Sequence, residues 1–129
     1  MCQAPYLTEK EDDDMDIRRI NPRQWNCSAT VHGNLVFLSG VVADDKSLPM
    51  KGQTEQVLHK IDQILADADS SKSRILSATV YMADAALKDE MNEAWMAWVD
   101  RSNLPARTAV GAALTPKTLV EITVCAAKS

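Results

Sequence analysis

Residues 53–68 read QTEQVLHKIDQILADA, and residues 75–82, shortly after, read ILSATVYM. In the first stretch Val57, Ile61, Ile64, Leu65 and Ala68 recur at the three-and-four spacing of one helical face, while Glu55, Lys60, Asp62 and Asp67 fall elsewhere. Asp69, Ser70 and Ser71 close that helix. The second stretch has the β-branched and aromatic content of a strand. A helix passing straight into a strand is the unit from which the rest is read.

Towards the C-terminus, Asp84 can cap a second helix through its side-chain oxygen. That helix carries Leu87, Met91, Ala94, Trp95 and Trp98 along one side and Glu90, Glu93 and Asp100 on the remainder, so its aromatic stripe reads as core packing. Leu104-Pro105 ends it. Two strands then follow, Arg107 to Leu114 and Leu119 to Ala126, joined across Thr115-Pro116-Lys117-Thr118. Towards the N-terminus, Trp25 to Val31 alternates like a half-buried strand. His32-Gly33-Asn34 interrupts it, and Leu35-Val36-Phe37-Leu38 runs back to Ser39-Gly40 as the second arm of a hairpin. The expected order is ββαβαββ, an α+β fold with two helices on one face of a largely antiparallel sheet. The pattern does not fix strand order.

Composition narrows the function. The 129 residues suit a single domain, and 46% hydrophobic residues suffice for one core. Glu9, Glu11, Asp12, Asp13, Asp14 and Asp16 outnumber Lys10, so residues 1–16 carry −5 against a net −4 for the whole chain and read as an acidic, solvated tail before a domain over 17–129. The remaining body is near neutral and has no basic stripe, and the whole chain contains one Phe and two Tyr, which argues against nucleic acid as the main partner. No stretch is long and apolar enough to span a membrane, and residues 1–20 lack the layout of a secretory signal, so a cytoplasmic location is expected. Cys2, Cys27 and Cys125 are odd in number and far apart, which fits a reducing compartment better than a disulfide framework. There is no Gly-rich phosphate loop. No cofactor is expected.

His32 and His59 have no companion at metal-ligand spacing, so no metal is assigned. Ser39 has no neighbouring base to activate it; its hydroxyl either satisfies the backbone beside Gly40 or touches a substrate. Arg107 opens a strand of small, mostly apolar residues and needs an anion, from a protein acid or from a ligand carboxylate that its planar fork would grip bidentately. Glu121 lies in Thr118-Leu119-Val120-Glu121-Ile122-Thr123-Val124, facing away from Val120, Ile122 and Val124. A simple four-residue turn between Leu114 and Leu119 would put Arg107 and Glu121 on opposite faces, so their convergence needs a bulge, another register or an intersubunit site.

Ser39-Gly40 after an apolar strand, Asn92 in Met91-Asn92-Glu93-Ala94-Trp95, and Pro105-Ala106-Arg107-Thr108 with a downstream Val120-Glu121-Ile122 resemble the RidA (YjgF) family over roughly residues 20–127. The resemblance implies a chorismate-mutase-like subunit in a homotrimer, with clefts between neighbouring subunits. It implies that Arg107 grips the carboxylate of a 2-imino acid or its enamine and that Glu121 helps position the attacking water. Ser39, Gly40 and Asn92 would line the same cleft, and the products would be a 2-oxo acid and ammonia. The chain departs from the family pattern at Ala109, where a Cys is usual, and at Val41, where a Gln often stands. The Tyr that closes the family pocket has Trp25 or Asn26 as its nearest counterpart.

Overall fold

The computed structural model describes residues 16–129, so the expected tail over residues 1–16 lies outside the described residues apart from Asp16. Seven strands form one sheet: β1 (Ile17–Pro22), β2 (Cys27–His32), β3 (Leu35–Leu38), β4 (Val41–Val42), β5 (Ile75–Met82), β6 (Ala106–Gly111) and β7 (Val120–Ala127). Helix α1 (Met50–Asp67) precedes β5, and helix α2 (Lys88–Trp98) follows it. The strands run in the order β1-β2-β3-β7-β5-β6, with β4 also pairing β7. Every pairing is antiparallel except β5 with β6. The α+β class, the two helices and the mostly antiparallel sheet follow the sequence expectation.

Three details differ from the sequence reading. First, β1 and β4 join the sheet as additional strands. β1 is exposed along nearly its whole length, so no hydrophobic alternation marks it, and β4 is two residues long. Second, the strand expected from Trp25 starts at Cys27. Pro22 pairs with Cys27, which turns residues 23–26 into a loop closed by Arg23 N–H donating to the Asn26 carbonyl at 2.7 Å. Trp25 is thereby 83% exposed. Third, β6 and β7 are not hairpin partners, because β5 lies between them. β5, α2 and β6 instead form a parallel crossover unit, which needs the helix to carry the chain back to the starting end of the sheet.

One face of the sheet is covered by the helices. Val36, Val80, Val120 and Ile122 from the strands meet Val57, Leu58, Ile61 and Leu65 from α1 and Met91 and Trp95 from α2 in a single buried cluster. α1 ends in a Schellman motif: Asp69 adopts φ 61°, its N–H donates to Ala66 O at 3.1 Å, and the Ser70 N–H donates to Leu65 O at 2.8 Å. Gln53 and Thr54 are fully buried polar residues of this core, and the Gln53 amide spans two elements. That amide donates to Leu48 O and Lys117 O, both at 3.0 Å, and accepts from the Leu119 N–H at 3.0 Å, which ties α1 to the segment leading into β7. Gln53→Leu strands those backbone groups in a dry interior and should cost about 3 kcal/mol. Urea unfolding at fixed protein concentration reads this loss.

Candidate functional site

β6 is an edge strand, and its register with β5 sets Arg107 opposite Ala78 and Ala109 opposite Val80, both on the helix-covered face. Arg107 therefore emerges beneath α2. Its Nη1 lies 3.7 Å from the Met91 sulfur, and its Cζ lies 5.1 Å from the centre of the Trp95 ring. Trp95 in turn packs on Trp98, with ring centres 5.5 Å apart, and Trp98 is fixed by its indole N–H donating to Asp62 at 2.9 Å. The guanidinium rests on an aromatic platform anchored to both helices.

Among the described residues no acid pairs with this cation. The ion pairs among the described residues are Arg18–Asp69, Lys51–Glu93 and Lys60–Asp44. Partial burial lowers the Arg107 pKa from its ordinary value by desolvation. Asn92 follows Met91 on α2 and is half-buried.

Glu121 belongs to a different surface. It pairs with Tyr81 on β5 and Val42 on β4, on the face turned away from the helices. Its carboxylate leans over Gly40, where a Cβ would collide with Oε2, so glycine is the residue that leaves it room. Gly40, Tyr81, Ala112, Ala113, Leu114, Glu121 and Thr123 line an open groove there. Ser39 stands beside it with its hydroxyl donating to the Cys27 carbonyl, so that hydroxyl can offer a ligand only its lone pairs.

The structure thus brings Ser39, Gly40 and Glu121 together, and places Arg107 on the α2 side with Asn92 on that helix. It does not join the two groups within one chain. Arg107 is level with Ala78 and Glu121 with Tyr81, three residues along β5 and two strands across, which is about 10 Å in each direction and on opposite faces. The opposite-face arrangement expected for a hairpin arises here through the interposed β5. Sequence reading passed over the Met91–Trp95 platform, although an i, i+4 pair of such residues on the face that meets a strand Arg was its available signal. Among the described residues no group of His, Cys, Asp and Glu could hold a metal ion.

Residues 17–128 match the family described as Endoribonuclease L-PSP. The chain belongs to this family. Its RidA (YjgF) character is equally plain in single relatives. A RutC family protein of Haemophilus ducreyi is 41% identical over 112 residues, 86% of this chain and 96% of that one. The RutC family protein YoaB of Escherichia coli K12 is 37% identical over 114 residues, covering 88% and 99%. NMB1025 of Neisseria meningitidis, a solved member of the YjgF protein family, superposes with a TM-score of 0.87 at 38% identity over 90% of this chain and 98% of that one. Among the described residues no helix is long and apolar enough to cross a membrane.

Proposed function

We propose that this YjgF family chain is a hydrolytic deaminase of reactive 2-imino acids and their enamine tautomers, giving 2-oxo acids and ammonia. The observation that carries the reading is Arg107, a half-buried guanidinium 5.1 Å from the centre of the Trp95 ring that pairs with no carboxylate among the described residues. A small carboxylate is the ligand its fork fits. Glu121 is the charged group of the second groove, so it would repel a carboxylate and suits a water or a nitrogen instead. Since the two lie on opposite faces of one sheet, the site is composite: Arg107 and Asn92 of one copy face Ser39, Gly40 and Glu121 of its neighbour in a homotrimer. The working unit is the domain over 17–129, the acidic segment 1–16 is a tail, and the setting is the cytoplasm.

The chemistry asks little of the protein. Water adds to the imine carbon while Glu121 takes a water proton, the nitrogen takes one up, and Glu121 then gives its proton back. The carbinolamine then passes a proton to nitrogen, the C–N bond breaks and ammonia leaves. An imine carbon is already electrophilic, so fixing it beside an oriented water and a carboxylate supplies the acceleration, and no cofactor is required. RNA cleavage, the activity in the family's description, draws no support from a body carrying +1 net charge against −5 on residues 1–16.

An amino-acid oxidase generating 2-imino acids in situ from a panel of amino acids tests this reading, with 2-oxo acid release followed with and without the protein. Acceleration is expected for at least one uncharged aliphatic side chain. If 2-oxo acids bind and no imino acid is turned over faster, a ligand-binding trimer replaces the enzyme.

A further inference from the structure

β5 alternates in its exposure: Ala78, Val80 and Met82 are buried toward the helices, while Thr79 and Tyr81 face the other way. Tyr81 stands directly opposite Glu121 on β7. Directly opposed antiparallel residues have Cβ atoms about 5 Å apart, so the two side chains leave the sheet from neighbouring positions on one face. Both open on the groove whose remaining lining is Gly40, Ala112, Ala113, Leu114 and Thr123. The Thr123 hydroxyl donates to the Leu38 carbonyl at 2.8 Å and is committed to the sheet. Tyr81 is half-buried, and its hydroxyl makes no hydrogen bond to any described residue.

A phenol adds nothing over a phenyl ring to the packing of such a groove, and its hydroxyl, not among the buried polar atoms left unpaired, is open to a ligand in the groove. Tyr81 and Glu121 are the two groove side chains free to meet a ligand with a proton donor and a proton acceptor respectively. A donor and an acceptor lining one groove match the addition of water across C=N, in which one reacting atom gains a proton while its neighbour's water loses one.

We propose that Tyr81 is a catalytic residue of the deaminase, the general acid on the substrate nitrogen. The inference rests on the reading of this groove as half of an imine-hydrolysing site. As the water oxygen bonds to the imine carbon, the C=N π pair moves to nitrogen, which takes the Tyr81 proton. Glu121 takes a proton from the water and returns it to the phenolate, so the residues end as they began and one water has added across the double bond. When C–N breaks, the carbinolamine hydroxyl loses its proton, nitrogen gains one, and the products are a 2-oxo acid and ammonia.

Tyr81→Phe keeps the ring and the strand residue, so the test does not turn on folding. In the oxidase-coupled assay kcat should fall about tenfold or more while KM and 2-oxo acid binding stay within about twofold. The defect should also depend on pH in one direction. At about pH 6 more of the substrate nitrogen arrives already protonated and needs no donor, so the variant should approach wild type; at about pH 8.5 the gap should widen. A purely packing role gives no such trend. If wild type turns over imino acids and Tyr81→Phe matches it at both pH values, the assignment of Tyr81 is wrong and the deaminase stands. If wild type accelerates no imino acid, both fall.

Discussion

Arg107→Ala weakens the binding of pyruvate or 2-oxobutanoate by about 10- to 100-fold in calorimetry, and in the coupled assay the loss appears mainly as a raised KM. The magnitude follows from the contacts. A bidentate, charge-assisted pair in a partly desolvated setting contributes about 1.5–3 kcal/mol, and each 1.4 kcal/mol is a tenfold change in affinity. Folding should not suffer, because the variant removes a cation that forms no ion pair among the described residues. Arg107→Lys separates charge from shape. It restores the cation but neither the planar guanidinium beside Trp95 nor the two parallel N–H donors, so affinity should recover only in part. Equal affinity in wild type and Arg107→Ala would assign the guanidinium to structure.

How far the sequence reached can be traced residue by residue. The periodicity of Val57, Ile61, Ile64 and Leu65 found α1, and the stripe from Leu87 to Trp98 found α2, because each helix buries one face against one sheet. β5 and β7 were legible from their apolar, β-branched content for the same reason. β1 was not legible: Arg18, Arg19 and Asn21 are exposed on an outer strand, where burial imposes no alternation. The pairing of β6 with β5 instead of β7 is a long-range choice made by the α2 crossover, and no local signal in residues 106–111 records it. The site was legible as a residue list and not as a geometry. Arg107, Glu121, Ser39, Gly40 and Asn92 are marked by their motifs. That Gly40 makes room for the Glu121 carboxylate depends on β4 pairing β7, and that Tyr81 stands beside Glu121 depends on the β5–β7 register.

Glu121→Gln should lower turnover by about 100-fold or more while leaving 2-oxo acid affinity nearly unchanged, because the amide keeps the shape and one acceptor but cannot take a proton. The room above Gly40 remains filled by a side chain of the same size, so packing is preserved. Ala109→Cys should leave both quantities almost unaltered: position 109 faces the helix side two residues beyond Arg107, and no thiol takes part in adding water to an imine. If only Ala109→Cys is active, the thiol matters and this scheme is wrong. A composite site gives the Glu121 experiment a second arm. Arg107→Ala and Glu121→Gln are each defective alone. When the two are unfolded together and refolded as mixed trimers, about one site in four should receive Arg107 from one copy and Glu121 from the next and regain wild-type chemistry. Mixtures refolded separately and then combined without exchange should stay inactive. Absence of recovery in trimers shown by mass spectrometry to be mixed would place both residues' work within one chain, against the roughly 10 Å offsets and opposite faces that separate them in this sheet.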